Sequence, residues 1–117
     1  MSNEPESKVF LLNFSGHNLR NLPEFGRIIF LTEGNVNIFS VDRLKYILQA
    51  ELDKHKYDSG RDFIAMSGNL MLGYAMGEIL HRYNNKKLLI YDNKKQIYLM
   101  KEVGAWPTMQ QVPGSVY

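Results

Sequence analysis

Cysteine is absent from this chain of 117 residues. That excludes a disulfide framework and any thiolate metal centre, and it makes a small secreted scaffold a poor expectation. A large charge of one sign is also missing: the formal net charge is +2. So weak a field leaves no wide electrostatic footprint, and binding to duplex nucleic acid is not expected. No apolar run is long enough to span a bilayer; the richest, near Asn69 to Leu80, is short and broken by glycines and a glutamate. The polar start MSNEPES has no apolar stretch behind a basic head, so no signal peptide is expected and the protein is placed in the cytoplasm. Familiar fingerprints are lacking as well. There is no G-x-x-x-x-G-K-[ST], no G-x-G-x-x-G and no G-x-S-x-G, which disfavours ordinary NTP hydrolysis, dinucleotide redox chemistry and a serine nucleophile. No histidines and carboxylates fall at metal-ligand spacing, so neither a metal nor a cofactor is expected.

What remains is an ordinary globular composition, 44% hydrophobic and 22% charged, at the length of one domain. Residues 1–7 read as a flexible leader, 8–103 as a single α/β domain and 104–117 as an extended tail. KVFLLNF (Lys8 to Phe14) and RIIFLT (Arg27 to Thr32) are short apolar runs that read as strands. From Ser40 the period changes: Val41, Leu44, Ile47, Leu48 and Leu52 mark one face of a helix ending near Lys56, with Ser40 as its N-cap. DFIAM (Asp62 to Met66) is a third strand, and a second helix is expected from Leu70 to about Tyr83. KLLIY (Lys87 to Tyr91) and QIYLMKEV (Gln96 to Val103) complete the set, the last at a sheet edge because it carries polar residues. Continuous apolar strands alternating with helices predict a small Rossmann-like three-layer sandwich. Its sheet of four to five strands is mostly parallel and closes with a C-terminal β-hairpin.

In such sheets ligands gather at the carboxyl ends of the strands. Three polar loops should meet there. NFSGHN follows the first strand and offers Asn13, Ser15, Gly16 and His17. His17 could bond a phosphate or protonate a leaving oxygen; the plainer alternative is a surface histidine doing neither. Ser67, Gly68 and Asn69 join the third strand to the second helix, where free backbone N–H groups and the helix dipole favour an anion; simple capping is the alternative. Glu33 and Asn35 end the second strand and could read a base or ribose, or merely connect. Gly73 and Gly77 share one helix face, which suggests close approach to the sheet or a subunit interface. Lys86, Lys87, Lys94, Lys95 and Lys101 read as a solvated edge near the C-terminal hairpin.

The strand ending in LLNFSGH, followed later by a strand ending in Ser-Gly-Asn and a helix, resembles the small CARF-like (CRISPR-associated Rossmann fold) proteins of type III CRISPR antiviral defence and their viral ring-nuclease counterparts. The resemblance covers roughly residues 8–103 in the order of elements. It implies a homodimer that binds cyclic oligoadenylate, with first-loop contacts at Asn13, Ser15, Gly16 and His17 and helix contacts at Ser67, Gly68 and Asn69. Viral ring nucleases follow the glycine with a histidine that serves as general acid; here the residue is Asn69, which leaves His17 as the candidate catalytic group. The alternative is a small viral or mobile-element module that inhibits a host protein, anchored by Trp106, Met109, Val112 and Tyr117 of the tail.

Overall fold

The structure, a computed structural model, describes residues 6–14, 19–33, 40–67 and 70–104. It is an α/β Rossmann-like fold. The strands are β1 (Lys8–Leu11), β2 (Arg27–Phe30), β3 (Phe63–Ala65), β4 (Lys86–Asp92) and β5 (Ile97–Val103), with helices α1 (Val41–Lys54) and α2 (Leu70–Leu80). They form one sheet in the order β2-β1-β3-β4-β5. β1 is parallel to both β2 and β3, β3 is parallel to β4, and only β5 runs antiparallel.

The handedness of the connections explains the layers. The passages from β2 to β3 and from β3 to β4 move in the same direction across the sheet, so right-handed crossovers set both helices on one face. There Leu44, Leu48 and Leu52 of α1 and Leu72, Ala75, Met76 and Ile79 of α2 bury Phe10, Leu12, Ile29 and Ile64. The passage from β1 to β2 moves the other way and therefore crosses the opposite face. Among the described residues that third layer is thin: a 3-10 turn, Leu22–Glu24, whose Leu22 packs with Val9, Leu11, Ala65 and Leu89.

Local signals act as the sequence suggests. Ser40 caps α1 by accepting the Arg43 N–H at 3.2 Å. α1 stops at Lys54 and the chain reverses at Lys56, which takes a left-handed φ of 55°. α2 ends at Leu80, a turn before the expected Tyr83. Two expectations need correction. β2 is an edge strand rather than a doubly buried one, so Arg27 and Phe30 are exposed while Ile29 is buried. Lys86 and Lys87 belong to the interior strand β4; Lys86 is buried and donates to the Tyr83 carbonyl, and Lys87 stands over the Phe63 ring. Lys94, Lys95 and Lys101 are the exposed members of that group.

The amino ends of β1 and β3 are clamped by a buried charge. Asp62 is 0% exposed and accepts the Lys8 N–H at 3.0 Å, the Asp58 N–H at 2.9 Å and two bonds from the Arg61 guanidinium. The Lys8 ammonium lies 3.5 Å away. Burial alone pushes this carboxyl up, but the Arg61 guanidinium and the two main-chain N–H groups outweigh it, holding it below the usual carboxylate range. With that end fixed, the variable chemistry is left to the other end of the strands.

The polar crevice at the carboxyl edge

Chain direction reverses across the sheet between β1 and β3, since β1 leads outward to β2 while β3 leads the other way to β4. This is the topological switch point, the place where sheets of this order generally open a crevice for a ligand. Three residues line the strand ends there. The Ser67 hydroxyl donates to the Asn13 carbonyl at 3.2 Å and accepts the Asn13 N–H at 3.4 Å. On the other side, the Thr32 hydroxyl donates to the Leu12 carbonyl at 2.6 Å and lies 3.0 Å from the Asn13 side-chain oxygen. The Phe14 N–H donates to the Thr32 carbonyl at 3.0 Å, and Phe14 bridges to Glu33 in parallel register.

The physical cause is the end of the ladder. β1 pairs regularly only as far as Leu11, and beyond it the main-chain groups of Asn13 need partners. A serine on β3's extension and a threonine on β2's extension lie on either side of it. The Ser67 hydroxyl, donor and acceptor at once, pairs both main-chain groups of Asn13, while the Thr32 hydroxyl takes the Leu12 carbonyl and lies beside the Asn13 side chain. The Ser67 hydroxyl is accordingly spent on Asn13 and keeps one acceptor lone pair.

Of the residues expected at a site, Asn13, Glu33 and Ser67 therefore come to one edge, spread over three adjacent strands. Asn13 and Ser67 are half-buried and Glu33 is exposed. Ser15, Gly16, His17, Asn35, Gly68 and Asn69 lie outside the described residues. Thr32 is a member that the sequence reading missed. It sits at the end of an apolar run, and only the adjacency of β2 and β1 brings it to Asn13.

The other histidines are elsewhere. His55 follows the last turn of α1, its imidazole 3.4 Å from the Glu51 carboxylate and edge-on to Phe10. His81 follows α2 and is exposed. A second polar group lies on the helix surface, where Lys45 donates to Glu78 at 2.8 Å. That bond, with a further one from Tyr74, holds the Glu78 carboxyl below its ordinary value. The bond to Glu78 raises both Lys45 and Tyr74. It is an exposed tie between α1 and α2. Among the described residues no group of three metal-binding side chains is present, and no helix is long and apolar enough to cross a membrane.

No family model, no curated protein and no solved structure matches the chain. The crevice must be interpreted from its own chemistry.

Proposed function

We propose that this protein is a cytoplasmic binder of a cyclic oligonucleotide, of the cyclic oligoadenylate class. The ligand is seated at the carboxyl edge across a homodimer and is sequestered or slowly cleaved. The observation that supports it is the hydrogen-bonded cluster of strand ends. Asn13, Thr32 and Ser67 draw three strand ends together at the switch point, the place where a sheet of this order takes a phosphorylated ligand. Loops of small hydrogen-bonding residues leave β1 and β3 at that point: Ser15, Gly16, His17 and Asn18 on one side, Gly68 and Asn69 on the other. A net charge of +2 suits a small anion held by main-chain N–H groups better than a long polyanion. A ring of phosphates has its own symmetry and matches two copies related by a two-fold axis.

Slow cleavage would use the ligand's own nucleophile. A ribose 2′-hydroxyl gives up its proton to water as it attacks the neighbouring phosphorus, the bond to the leaving 5′-oxygen breaks to leave a 2′,3′-cyclic phosphate, and His17 supplies the proton that the 5′-oxygen needs. Asn69 has no proton of suitable acidity to give, so turnover depends on His17. His17→Ala is expected to abolish turnover, and an unchanged rate would remove that residue from the role.

The test of binding is thermal melting of the full chain with a panel of cyclic and linear oligoadenylates, ATP and single-stranded RNA. A ligand at ~100 times its Kd adds about 2.7 kcal/mol, a rise on the order of 10 °C for a domain of this size. A shift confined to cyclic oligoadenylates supports the proposal. No shift with any member of the panel overturns it and returns attention to a protein partner for the tail.

A further inference from the structure

β2 is the outermost strand, so nothing in the sheet covers its far side. At its carboxyl end Phe30 is 38% exposed, an unusual place for a phenylalanine beside a polar crevice. The ring is not loose. Phe14, immediately after Asn13, lies against it with ring centroids 4.7 Å apart and planes tilted by 32°. Phe14 is itself held from two sides, by its N–H bond to the Thr32 carbonyl and by packing on the cluster of Leu11, Leu22 and Leu89. An aromatic ring backed in this way loses little further freedom when something is laid on its open side.

Isolated exposed apolar residues are ordinary on protein surfaces and need no explanation. Phe30 differs in its setting. It stands two residues before Thr32, and its backing ring stands one residue after Asn13, so platform and crevice share the same two strands. From β2 to the β1/β3 crevice is about one and a half strand spacings, or ~7 Å. A nucleotide has the same layout: a flat base, a sugar as spacer, and a charged phosphate.

We propose that Phe30, backed by Phe14, is the platform on which a nucleobase of the ligand stacks, while the phosphate sits over the crevice beside Asn13 and Ser67. The inference rests on the nucleotide reading above and adds to it a base-binding residue on a strand that carried no expected contact before its last residues. It also predicts a kind of recognition. A phenylalanine face has no hydrogen-bonding group, so the platform favours purines by ring area and does not distinguish adenine from guanine.

The test is calorimetric titration of the full chain with the cyclic oligoadenylates, comparing the unchanged protein with Phe30→Ala, Phe30→Leu and Phe30→Tyr. Because Phe30 is half out of the core, melting of each free variant is expected to stay close to that of the parent, which separates binding from folding. Stacking predicts a loss of about 5- to 150-fold for Phe30→Ala. It predicts a similar loss for Phe30→Leu and retention in Phe30→Tyr. A ring carrying 2-aminopurine in place of one adenine should be quenched by the parent and by Phe30→Tyr but not by Phe30→Ala. Equal affinity of the parent and Phe30→Ala, or of the parent and Phe30→Leu, overturns the platform and leaves the nucleotide reading standing. Failure of the parent to bind any of these rings overturns the reading, and the platform with it.

Discussion

Asp62 is a heavily committed side chain, and its consequences are local. Two cations and two main-chain N–H groups converge on one carboxylate with no solvent contact. Asp62→Asn leaves those donors facing a neutral amide and is expected to cost about 3 kcal/mol, a fall in Tm on the order of 10 °C. The pH dependence follows from the direction of the shift. The folded carboxyl lies below the unfolded value of about 3.9, so its contribution is fully present above that pH and fades as pH falls through the folded value. Melting of the parent and Asp62→Asn between neutral pH and strong acid should show a gap that narrows in acid. A constant gap would mean that packing, not charge, sets the cost. None of this clamp was legible beforehand. Asp62 reads as the first residue of the strand DFIAM, and nothing beside it in the sequence marks a buried carboxylate. Its burial depends on Lys8, 54 residues away, lying on the neighbouring strand. Thr32 was hidden for the same reason, whereas Asn13 and Ser67 were found because polar residues at strand ends are a local pattern.

The elements themselves were largely legible, because each carries its own period and its own stop. α1 has a serine cap and a leucine every turn; the antiparallel β4–β5 pair has Asp92-Asn93-Lys94-Lys95 between two apolar runs. Strand neighbours leave weaker marks, which is why β2 read as buried and proved to be an edge. The glycines of α2 show the limit of argument by composition. Close approach to the sheet was the expected reason for both, yet a Cβ on Gly77 would meet nothing within 4 Å and one on Gly73 would make only an ordinary 3.8 Å contact with Met66. Gly77→Ala is therefore expected to raise stability by about 1 kcal/mol through helix propensity alone. Gly26 is the opposite case. Its φ is +154°, and a Cβ there would come within 2.4 Å of the Ser7 carbonyl oxygen, so Gly26→Ala should lower Tm markedly. Urea melts of the two variants should move in opposite directions. A loss of stability in Gly77→Ala would show that this face of α2 is covered in solution.

At the scale of the whole molecule the two faces of the sheet are unequal. Among the described residues one carries two helices and the other a single crossing segment. The described part of that segment is anchored at Asn21 and at Phe25. Ser7 donates to the Phe25 carbonyl at 2.7 Å, and Asn21 grips β5: its amide donates to the Tyr98 carbonyl at 2.9 Å and its oxygen accepts the Tyr98 N–H at 2.8 Å. A carboxamide thus takes the place of another strand at that residue. Asn21→Ala should cost about 1–2 kcal/mol by leaving both main-chain groups of Tyr98 without these partners. Amide exchange should speed up at Tyr98 while that of Leu99, which is opposite Ile90, stays slow. Unchanged protection at Tyr98 would show that the amide is not what holds it. The grip also joins residues 77 positions apart, near opposite ends of the described chain. On a ribosome the crossing segment emerges early and can pack on β1 at once, but its hold on Tyr98 must await the synthesis of β5. Leu22 and Phe25 complete their packing only once Ala65, Leu89 and Phe63 of the later strands have been made. A chain cut short before Tyr98 would leave Asn21 without its partner, so the crossing segment should be the last part of the described fold to be secured as the protein is born.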